Sequence, residues 1–261
     1  MSGKIHPTAV VDGKAEIGAG CEIGPYCVVG PHVRLGKGNI LKSHVVIENH
    51  VTVGDGNVFY PFAMIGAAPA DLKYKGEPTQ LVIGNNNNIR ESTSLHIGTA
   101  GGGGVTKVGD HNLLMAYVHL GHDTVVGNQA IIANGCQLAG HVTIEDWAIL
   151  GGLTAVSQYC RVGAHSYVGG MSGVDRDVLP YSLGKGTTGQ FQLMGLNLVG
   201  LRRRGVPTDV ISKLNDAVKI FANKDYEKAA ALNKMEELYG TVTEVRELCE
   251  FIKKSEVGVF R

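Results

Sequence analysis

The chain has 261 residues, with equal numbers of basic (Lys+Arg 24) and acidic (Asp+Glu 24) side chains and only 18% charged residues. This balance gives no reason to expect binding to nucleic acid or to an anionic membrane surface, and no apolar run approaches the ~18 residues of a membrane span. The first residues lack the charged and apolar regions of a signal peptide, and the five cysteines show no CxxC spacing, so we expect a cytoplasmic protein with reduced thiols.

The dominant pattern in the sequence is an apolar residue at every sixth position. It begins at Ile5, breaks after Gly66, resumes at Ile83 and then runs unbroken from Val108 to Val174. In a chain with 44% hydrophobic residues, the twelve consecutive matches of this last run have a chance of about one in twenty thousand. A period of six fits neither an α-helix nor an alternating strand, so it predicts short strands joined by turns, three to a coil. We therefore predict a mainly β fold, a parallel β-helix of hexapeptide repeats shaped as a triangular prism.

Two interruptions of this pattern predict loops that leave the prism, at residues 67–81 and 98–107. The six-residue pattern ends at Val174, and a linker containing proline and glycine follows over 174–190. The apolar spacing then becomes helical, which predicts four helices at roughly 191–204, 208–222, 225–238 and 243–254. We therefore predict two domains, a β-helix over 1–190 and a helical domain over 191–261 that covers the open end of the prism.

The coil geometry converts sequence spacing into columns of side chains. Residues one coil apart, three hexads along the chain, should lie about 4.8 Å from each other, the strand spacing of a sheet. In the unbroken run, Gly140 is then predicted to stack on His122, Gln158 on Gly140, and His141 on Asp123. One surface patch thus gathers a histidine, a carboxylate, a second histidine and an exposed glycine backbone.

This patch suits acyl transfer. Histidine ordinarily titrates at about pH 6.5, so His122 is suited to act as a general base towards an alcohol or amine. Asp123, or its stack with His141, would orient or stabilise the imidazole, and the N–H of Gly140 can approach a developing oxyanion because no side chain shields it. No serine or cysteine lies beside a base with the local pattern of a covalent nucleophile, which favours direct attack by the acceptor.

Other interpretations remain open. Histidines at turns are often only solvated or structural, and most of the ten in the chain are predicted to be so. His119, His122 and His141 are an alternative three-histidine zinc site, as in the hexapeptide-repeat carbonic anhydrases, although their spacing puts His119 and His122 on opposite sides of a turn. A solenoid can also be a non-catalytic scaffold. The basic cluster LRRRG (201–205) is either a solvated helix end or a contact for phosphates or an acidic partner.

Several motifs resemble one known family. The segments DLKYKGEPT (71–79), LGHDTVVGN (120–128), LAGHVTIEDW (138–147) and GLNLVGLRRRG (195–205), in a chain of hexads followed by helices, resemble the UDP-N-acetylglucosamine O-acyltransferases. The resemblance covers essentially the whole chain. It implies left-handed winding and a cytoplasmic homotrimer with active sites in clefts between neighbouring prisms. It also implies transfer of an (R)-3-hydroxyacyl chain from acyl carrier protein to the sugar 3-position, the first step of lipid A synthesis, without a cofactor or metal.

The resemblance also implies roles for individual residues. His122 would be the general base, Asp123 its partner and Gly140 the source of the oxyanion N–H. Gly170 matches the position that measures the acyl chain, and a glycine there, stacked on Gly152, predicts a chain longer than ten carbons. The other positions that correspond to substrate contacts of the family would face the sugar, the nucleotide or the carrier protein, namely Leu72, Lys73, His119, His141, Ser157, Gln158, Asn197, Arg203 and Arg204.

The chain departs from the family pattern at the sugar-nucleotide end. Ser157 stands where the family commonly has histidine, Val199 where it has glutamate, and residues 68–70 replace a more polar tripeptide. These departures leave open an acceptor with an amine at the sugar 3-position, which would give an amide product. A rival of the same fold is the N-acyltransferase that acts later in the same pathway, which resembles a β-helix preceded by an extra domain, whereas hexads here begin at Ile5.

Overall fold

The computed structural model describes residues 4–261, and most of this chain winds into three parallel sheets that form the faces of a triangular prism. Face 1 consists of Lys4–Ile5, Glu22–Ile23, Ile40–Leu41, Val58–Phe59, Asn88–Ile89, Leu113–Leu114, Ile131–Ile132, Ile149–Leu150, Tyr167–Val168, Ser182–Lys185 and Gln192–Leu196. Face 2 consists of Val10–Val11, Val28–Val29, Val46–Ile47, Met64–Ala67, Ser94–His96, His119–Leu120, Gln137–Leu138, Ala155–Val156 and Gly173–Val174. Face 3 consists of Glu16–Ile17, Arg34–Leu35, His50–Val53, Gln80–Ile83, Val105–Val108, Val125–Val126, Thr143–Ile144 and Arg161–Val162.

The hexad explains why the strands are so short. The apolar residue of each hexad from Val108 to Val174 is buried inside the prism. From Val108 to Val168 a turn follows each strand, and its second residue has the left-handed conformation. Along the regular run these residues recur every six positions, at His111, Tyr117, Asp123, Gln129, Gly135, His141, Trp147, Leu153, Tyr159, His165 and Met171. The 18-residue columns predicted from the sequence are observed, since Leu120 pairs with Leu138 and Val126 with Ile144.

Both predicted loops leave the prism at the corner between faces 2 and 3, which we call the 2–3 corner. The first runs from 68 to 79 and the second from 97 to 104, so both are shorter than predicted. Their C-terminal ends, Gln80–Ile83 and Val105–Val108, are strands because they pair with His50–Val53 and with each other on face 3. Each loop thus lengthens one coil without disturbing the columns on either side.

A ladder of buried asparagines runs through the first half of the prism. Asn39, Asn57, Asn87 and Asn112 are fully buried, and the side-chain oxygen of each accepts the backbone N–H of the next, at 2.8–2.9 Å. The last step is the N–H of Ala130, 2.7 Å from the side-chain oxygen of Asn112. These amides satisfy backbone groups that would otherwise be buried without partners.

Two predictions for the C-terminal region are wrong, the helix over 191–204 and the linker over 174–190. The predicted helix over 191–204 is wrong in its first half, because Gln192–Leu196 is a strand that pairs antiparallel with Ser182–Lys185, itself part of the predicted linker. Helix α1 spans only Leu198–Arg203, and α2, α3 and α4 span Thr208–Ala222, Lys228–Tyr239 and Thr243–Lys253. The pairing recruits 182–196 to the end of face 1, which overrides the helical spacing of its leucines.

The buried apolar side chains form two clusters, one inside the prism and one among the four helices together with Leu179, Tyr181 and Leu196. The predicted fold class is confirmed: the chain is a left-handed parallel β-helix of hexapeptide repeats followed by α-helices. The placement of a domain boundary at 190 stays a prediction. None of the helices among residues 4–261 has the length and hydrophobicity needed to cross a lipid bilayer.

Candidate active site

His122 and Asp123 occupy the 2–3 corner directly above the coil that carries the 97–104 loop. They form the turn between His119–Leu120 and Val125–Val126, and Asp123 takes the left-handed position (φ 59°), a conformation that aspartate tolerates. Nδ1 of His122 lies 2.8 Å from Oδ2 of Asp123. Because a carboxylate only accepts hydrogen bonds, Nδ1 carries the hydrogen and Nε2 is left with a free lone pair. The turn therefore presents an oriented imidazole base.

The Asp123 carboxylate is enclosed by the 97–104 loop. The backbone N–H of Thr99 donates to both carboxylate oxygens, at 2.9 and 3.1 Å, and the Thr99 hydroxyl donates to Oδ2 at 2.6 Å. On the other side, the hydroxyl of Thr106 accepts the backbone N–H of Asp123 at 2.8 Å. Glycine is required at position 102, because a Cβ there would lie 2.1 Å from the carboxylate. Hydrogen bonds from Thr99 thus stabilise the negative charge of the Asp123 carboxylate and fix its orientation.

Gly140 lies against the imidazole, as the column arithmetic predicted. A Cβ at this position would come within 2.5 Å of Cε1 and 2.7 Å of Nε2 of His122. The next residue, His141, donates its backbone N–H to the carbonyl oxygen of His122 at 3.0 Å, and its ring meets the His122 ring edge-on with centroids 5.0 Å apart. The prediction of an exposed glycine backbone is wrong, because Gly140 is buried where it packs against the His122 ring, although its N–H has no acceptor among residues 4–261.

A cleft of about 540 Å³ opens beside His122, between the 2–3 corner and the 68–79 loop. His122, His141, Gln158 and Tyr159 line it from the prism, and the 97–104 loop adds Thr99, Ala100 and Gly101. The opposite wall is the stretch from Ala70 to Tyr74 with Glu77, which includes the predicted substrate contacts Leu72 and Lys73. Leu72 and Lys73 are exposed, so both side chains are free to contact a ligand. The loop is held by Tyr74, whose hydroxyl donates to the Glu77 carbonyl at 2.9 Å.

His119 and Ser157 lie in a second groove of about 330 Å³ on face 2, which ends at Thr188. Nδ1 of His119 lies 2.8 Å from the Ser94 hydroxyl, and its ring meets that of His96 edge-on at 4.6 Å. Burial, and then the nearby His122, lower the pKa of His119. Burial, followed by the neighbouring histidines, lowers the pKa of His96 to about 4. Both rings are therefore neutral near pH 7.

The structure does not bring the C-terminal candidates into the cleft. Asn197 caps α1 by accepting the N–H of Gly200 at 3.1 Å, and its side-chain amide donates to the His165 carbonyl at 3.0 Å. Arg204 donates to the Trp147 carbonyl at 3.0 Å and contacts Nδ1 of His165 at 3.4 Å, whereas the exposed side chain of Arg203 has no hydrogen bond or ion pair among residues 4–261. Arg203 and Arg204 lie at the corner between faces 3 and 1, which we call the 3–1 corner.

Gly170 lies at the remaining corner, between faces 1 and 2. It is exposed, and a Cβ there would lie 3.1 Å from the carbonyl oxygen of Gly152, one coil away. The predicted stacking of the two glycines is therefore observed.

The zinc alternative finds little support in this arrangement. Ligand atoms of His122, Asp123 and His141 do lie within 4.8 Å of one another. However, Asp123 already accepts hydrogen bonds from His122 and Thr99, and His119 is bonded to Ser94 in the other groove. His122 and Asp123 form a hydrogen-bonded pair beside the His141 ring, whereas a zinc site of this class requires three histidines with free ring nitrogens that converge on one point.

Sequence reasoning missed Thr99 and Thr106, because the hexad register breaks between residues 98 and 107 and no column can be drawn through it. One signal was available: the loop GTAGGGGVTK is rich in glycine immediately before the regular run, which is typical of backbone that approaches another group closely.

A prism of hexapeptide coils with a histidine–carboxylate pair at the mouth of a cleft defines an acyltransferase of the hexapeptide-repeat class. Two family models agree with this class: residues 106–140 match the bacterial transferase hexapeptide (six repeats), and residues 177–260 match domain 2 of UDP-N-acetylglucosamine O-acyltransferase. The expectation that the chain is an acyltransferase is therefore confirmed.

Solved structures narrow the class to a family. The chain is 40% identical to LpxA from Acinetobacter baumannii, covering 98% of this chain and 99% of that one, with a TM-score of 0.95. It is 38% identical to the Francisella novicida UDP-N-acetylglucosamine acyltransferase (98% and 94% covered, TM-score 0.95) and 35% identical to that from Bacteroides fragilis (98% and 100%, TM-score 0.96). The chain belongs to the UDP-N-acetylglucosamine acyltransferase family, as its motifs predicted.

Proposed function

We propose that this chain transfers an (R)-3-hydroxyacyl group from acyl carrier protein to the 3-hydroxyl of UDP-N-acetylglucosamine, in the cytoplasm, as the first step of lipid A synthesis. The observation that carries this proposal is the 2.8 Å hydrogen bond between Nδ1 of His122 and Asp123, at the mouth of the 540 Å³ cleft. It leaves Nε2 as the basic nitrogen of a buried pair, which is what direct attack by an alcohol requires.

The reaction proceeds without a covalent enzyme intermediate. Nε2 of His122 takes the proton of the sugar hydroxyl while the hydroxyl oxygen attacks the thioester carbonyl carbon. The negative charge that develops on the carbonyl oxygen is stabilised by the N–H of Gly140, which lies against the imidazole. As the tetrahedral intermediate collapses, the C–S bond breaks and the protonated His122 returns its proton to the leaving thiolate. Asp123 stabilises the imidazolium between these two steps.

The cleft and groove suggest where the substrates lie. Leu72 and Lys73 on the 68–79 loop face His141 and Gln158 across the cleft, which suits a polar sugar and its diphosphate. The groove containing His119 and Ser157 runs along face 2 and suits the reacting end of the sugar together with the acyl chain that it receives. Gly170 leaves its corner open, so we expect an acyl chain longer than ten carbons. Arg203 is exposed and available to an acidic carrier protein.

The active enzyme is a homotrimer in this proposal. Five large apolar side chains are exposed along the corner between faces 1 and 2 and form a ridge that a second copy would cover. The ridge consists of Tyr26, Phe62, Tyr117, Leu153 and Met171, each of them 58–73% exposed. Sedimentation analysis at several concentrations should give three times the chain mass. Replacement of Leu153 by Lys should lower that mass, and a wild-type monomer with full turnover would overturn the trimer.

The decisive experiment offers the purified protein a mixed pool of acyl-carrier-protein donors together with UDP-N-acetylglucosamine or its 3-amino analogue. Mass spectrometry of the products reports the acceptor and the chain length at once. An ester of the 3-hydroxyl sugar with a chain above ten carbons is expected. Absence of product with either acceptor would overturn the proposed function.

A second candidate is the same reaction on the 3-amino sugar, which gives an amide. The observation that favours it is Ser157, which lies in the face 2 groove with His119 where the family commonly has a second imidazole. An amine is a better nucleophile than an alcohol and needs less polar support. A strong preference for the 3-amino analogue in the paired assay would select this candidate, and Ser157→His should then shift turnover towards the hydroxyl sugar.

A non-catalytic scaffold is the rival of another class. A scaffold has no turnover to lose, so His122→Ala would leave its binding partners unchanged and no acyl product would form with the wild-type protein either. The same pair of proteins therefore separates the two classes.

A further inference from the structure

We propose that Thr99 is a positioning residue for the proposed acyl transfer: its hydroxyl fixes the Asp123 carboxylate and weakens the pull of that carboxylate on the proton of His122. The inference rests on the proposed function for its role in turnover, but not for its effect on the histidine. Thr99 lies on the 97–104 loop, 24 residues before Asp123, and its hydroxyl donates to Asp123 rather than to the imidazole.

The direction of the Thr99 hydroxyl is determined by two hydrogen bonds. Its oxygen accepts the backbone N–H of Gly102 at 3.1 Å, so its hydrogen is directed elsewhere. The acceptor is Oδ2 of Asp123 at 2.6 Å, the same oxygen to which Nδ1 of His122 donates at 2.8 Å. The threonine hydroxyl and the imidazole N–H therefore share one carboxylate oxygen.

No lysine or arginine among residues 4–261 forms an ion pair with Asp123. Its side chain is 1% exposed, and its one ion-pair partner among residues 4–261 is His122. The negative charge is thus spread over the N–H and hydroxyl of Thr99 and the imidazole N–H. Each hydrogen bond to a carboxylate stabilises its charged form, so removal of one makes the carboxylate a stronger partner for the imidazolium.

The loop that carries Thr99 is itself anchored. The carbonyl of Gly98 accepts the hydroxyl of Thr79, and the N–H of Gly98 donates to the Gln80 carbonyl at 3.0 Å. The Gly104 N–H closes the loop by donating to the Thr99 carbonyl at 2.8 Å. Thr99 is therefore a rigid support, joined through Thr79 and Gln80 to the loop that forms the far wall of the cleft.

Other titratable groups also face the His122 ring and set the background for its titration. Those on the prism are His96, His119, His141 and Tyr159, and those on the 68–79 loop are Asp71, Lys73, Tyr74 and Glu77. None of them donates a hydrogen bond to the Asp123 carboxylate. A change at Thr99 therefore acts on His122 through Asp123.

The test compares Thr99→Val, Thr99→Ser and Thr124→Val. Valine keeps the shape of threonine and removes only the hydroxyl, whereas serine restores it. Thr124 is also a buried threonine, one residue after Asp123, but its hydroxyl donates to the Ala139 carbonyl at 3.2 Å and not to the pair. It is the matched control for loss of a buried hydroxyl.

Two readouts are measured. The first is the pH titration of His122 in 15N-histidine-labelled protein, assigned with the help of His122→Gln, which needs no substrate. Thr99→Val should raise its midpoint by about 0.5 to 1 pH unit, because a hydrogen bond to the charged carboxylate has been removed. The second is the pH profile of kcat/KM, whose acid limb should move upward by the same amount, with kcat reduced about tenfold and KM nearly unchanged. Thr99→Ser and Thr124→Val should keep the wild-type midpoint.

Each outcome decides one question. An unchanged midpoint in folded Thr99→Val overturns the inference, whether or not the enzyme turns over. An equal shift in Thr124→Val overturns it as well, because the effect would then come from general loosening. If Thr99→Val does not fold, Thr99→Ala replaces it and the same midpoint decides. Absence of turnover in the wild-type protein refutes the proposed function but leaves the titration result standing.

Discussion

Two corners of the same prism carry columns of aromatic rings, but only one of these columns lines the candidate active site. At the 2–3 corner His141 stacks on Tyr159 with centroids 4.5 Å apart, and both line the cleft beside His122. At the 3–1 corner His165 stacks between Trp147 and Tyr181, at 6.1 and 5.5 Å. The hexads that build the two columns are alike, so the repeat alone does not distinguish them.

The surroundings of the columns make the difference. The helical region packs onto the 3–1 corner: Arg204 lies over the Trp147 ring and bonds its carbonyl, and the Tyr181 hydroxyl donates to Glu247 of α4. The 2–3 corner instead receives the 68–79 and 97–104 loops, which stand off from the prism and leave a cleft. A corner becomes a site when an inserted loop faces it across open space, and becomes structural when the C-terminal helical region packs onto it.

The strongest test of this difference between the two corners is to remove one histidine from each corner. His122→Ala should lower kcat/KM by about 10³-fold, because a general base contributes roughly 10² to 10⁴. His165→Ala should leave kcat/KM within about threefold while lowering Tm, because its ring stacks between Trp147 and Tyr181 and contacts Arg204 away from the cleft. Steady-state kinetics and thermal melts on both variants provide the test. Full activity in His122→Ala would remove the general base from the mechanism.

A second test adds a single methyl group at the 2–3 corner. In Gly140→Ala the new Cβ would fall 2.5 Å from the His122 ring, so the imidazole must move, and a displacement of about 1 Å can cost about 10²-fold in kcat. Gly13 occupies the equivalent corner position in the first coil, and a Cβ there meets nothing within 4 Å. Gly13→Ala should therefore behave like wild type in the same kinetic assay. Equal effects of the two substitutions would refute the packing argument.

At the 3–1 corner, Arg204 separates a structural role from a substrate contact. Burial lowers the pKa of its guanidinium, which bonds the Trp147 carbonyl of its own chain. Arg204→Met should therefore lower stability by about 1 kcal/mol, or about 2–4 °C in Tm, with KM unchanged. Arg203→Met should leave Tm unchanged and raise KM for the acyl donor. Urea titration and kinetics on the pair are sufficient, and the reverse pattern would make Arg204 the substrate residue.

The smallest expected effect concerns pH and stability. The pKa of His96 is lowered to about 4, below the ordinary value of a histidine, so between these values the unfolded chain binds more protons than the folded one. Stability therefore rises with pH from about 4 to about 6.5 and is lost as the pH falls through that range. The ring is partly exposed, so the share of His96 should be about 1 kcal/mol. His96→Gln should flatten the dependence of unfolding free energy on pH by that amount, and an unchanged slope would contradict it.

The fold was predictable because the regular run from Val108 to Val174 obeys a single rule. That rule also predicted the contact of Gly140 with His122 from one coil to the next. It failed where something other than the hexad decides the structure. Gln192–Leu196 is a strand because the free edge of Ser182–Lys185 pairs with it, although its leucines follow a helical spacing. Thr99 contacts Asp123 through a loop with no register, so no counting of residues could have found it.

The asparagine ladder has a consequence for how such a chain can change in length. Each amide serves the backbone of the coil above it, so Asn39, Asn57, Asn87 and Asn112 must remain vertically aligned. Loss or gain of a few residues within a face would put a side chain of the wrong polarity on the axis of the ladder. The chain can therefore change in length in two ways, by gaining or losing a whole coil or by inserting residues at a corner. Between Asn57 and Asn87 the extra residues form the 68–79 loop at the 2–3 corner, and the cleft beside His122 lies between that loop and the prism.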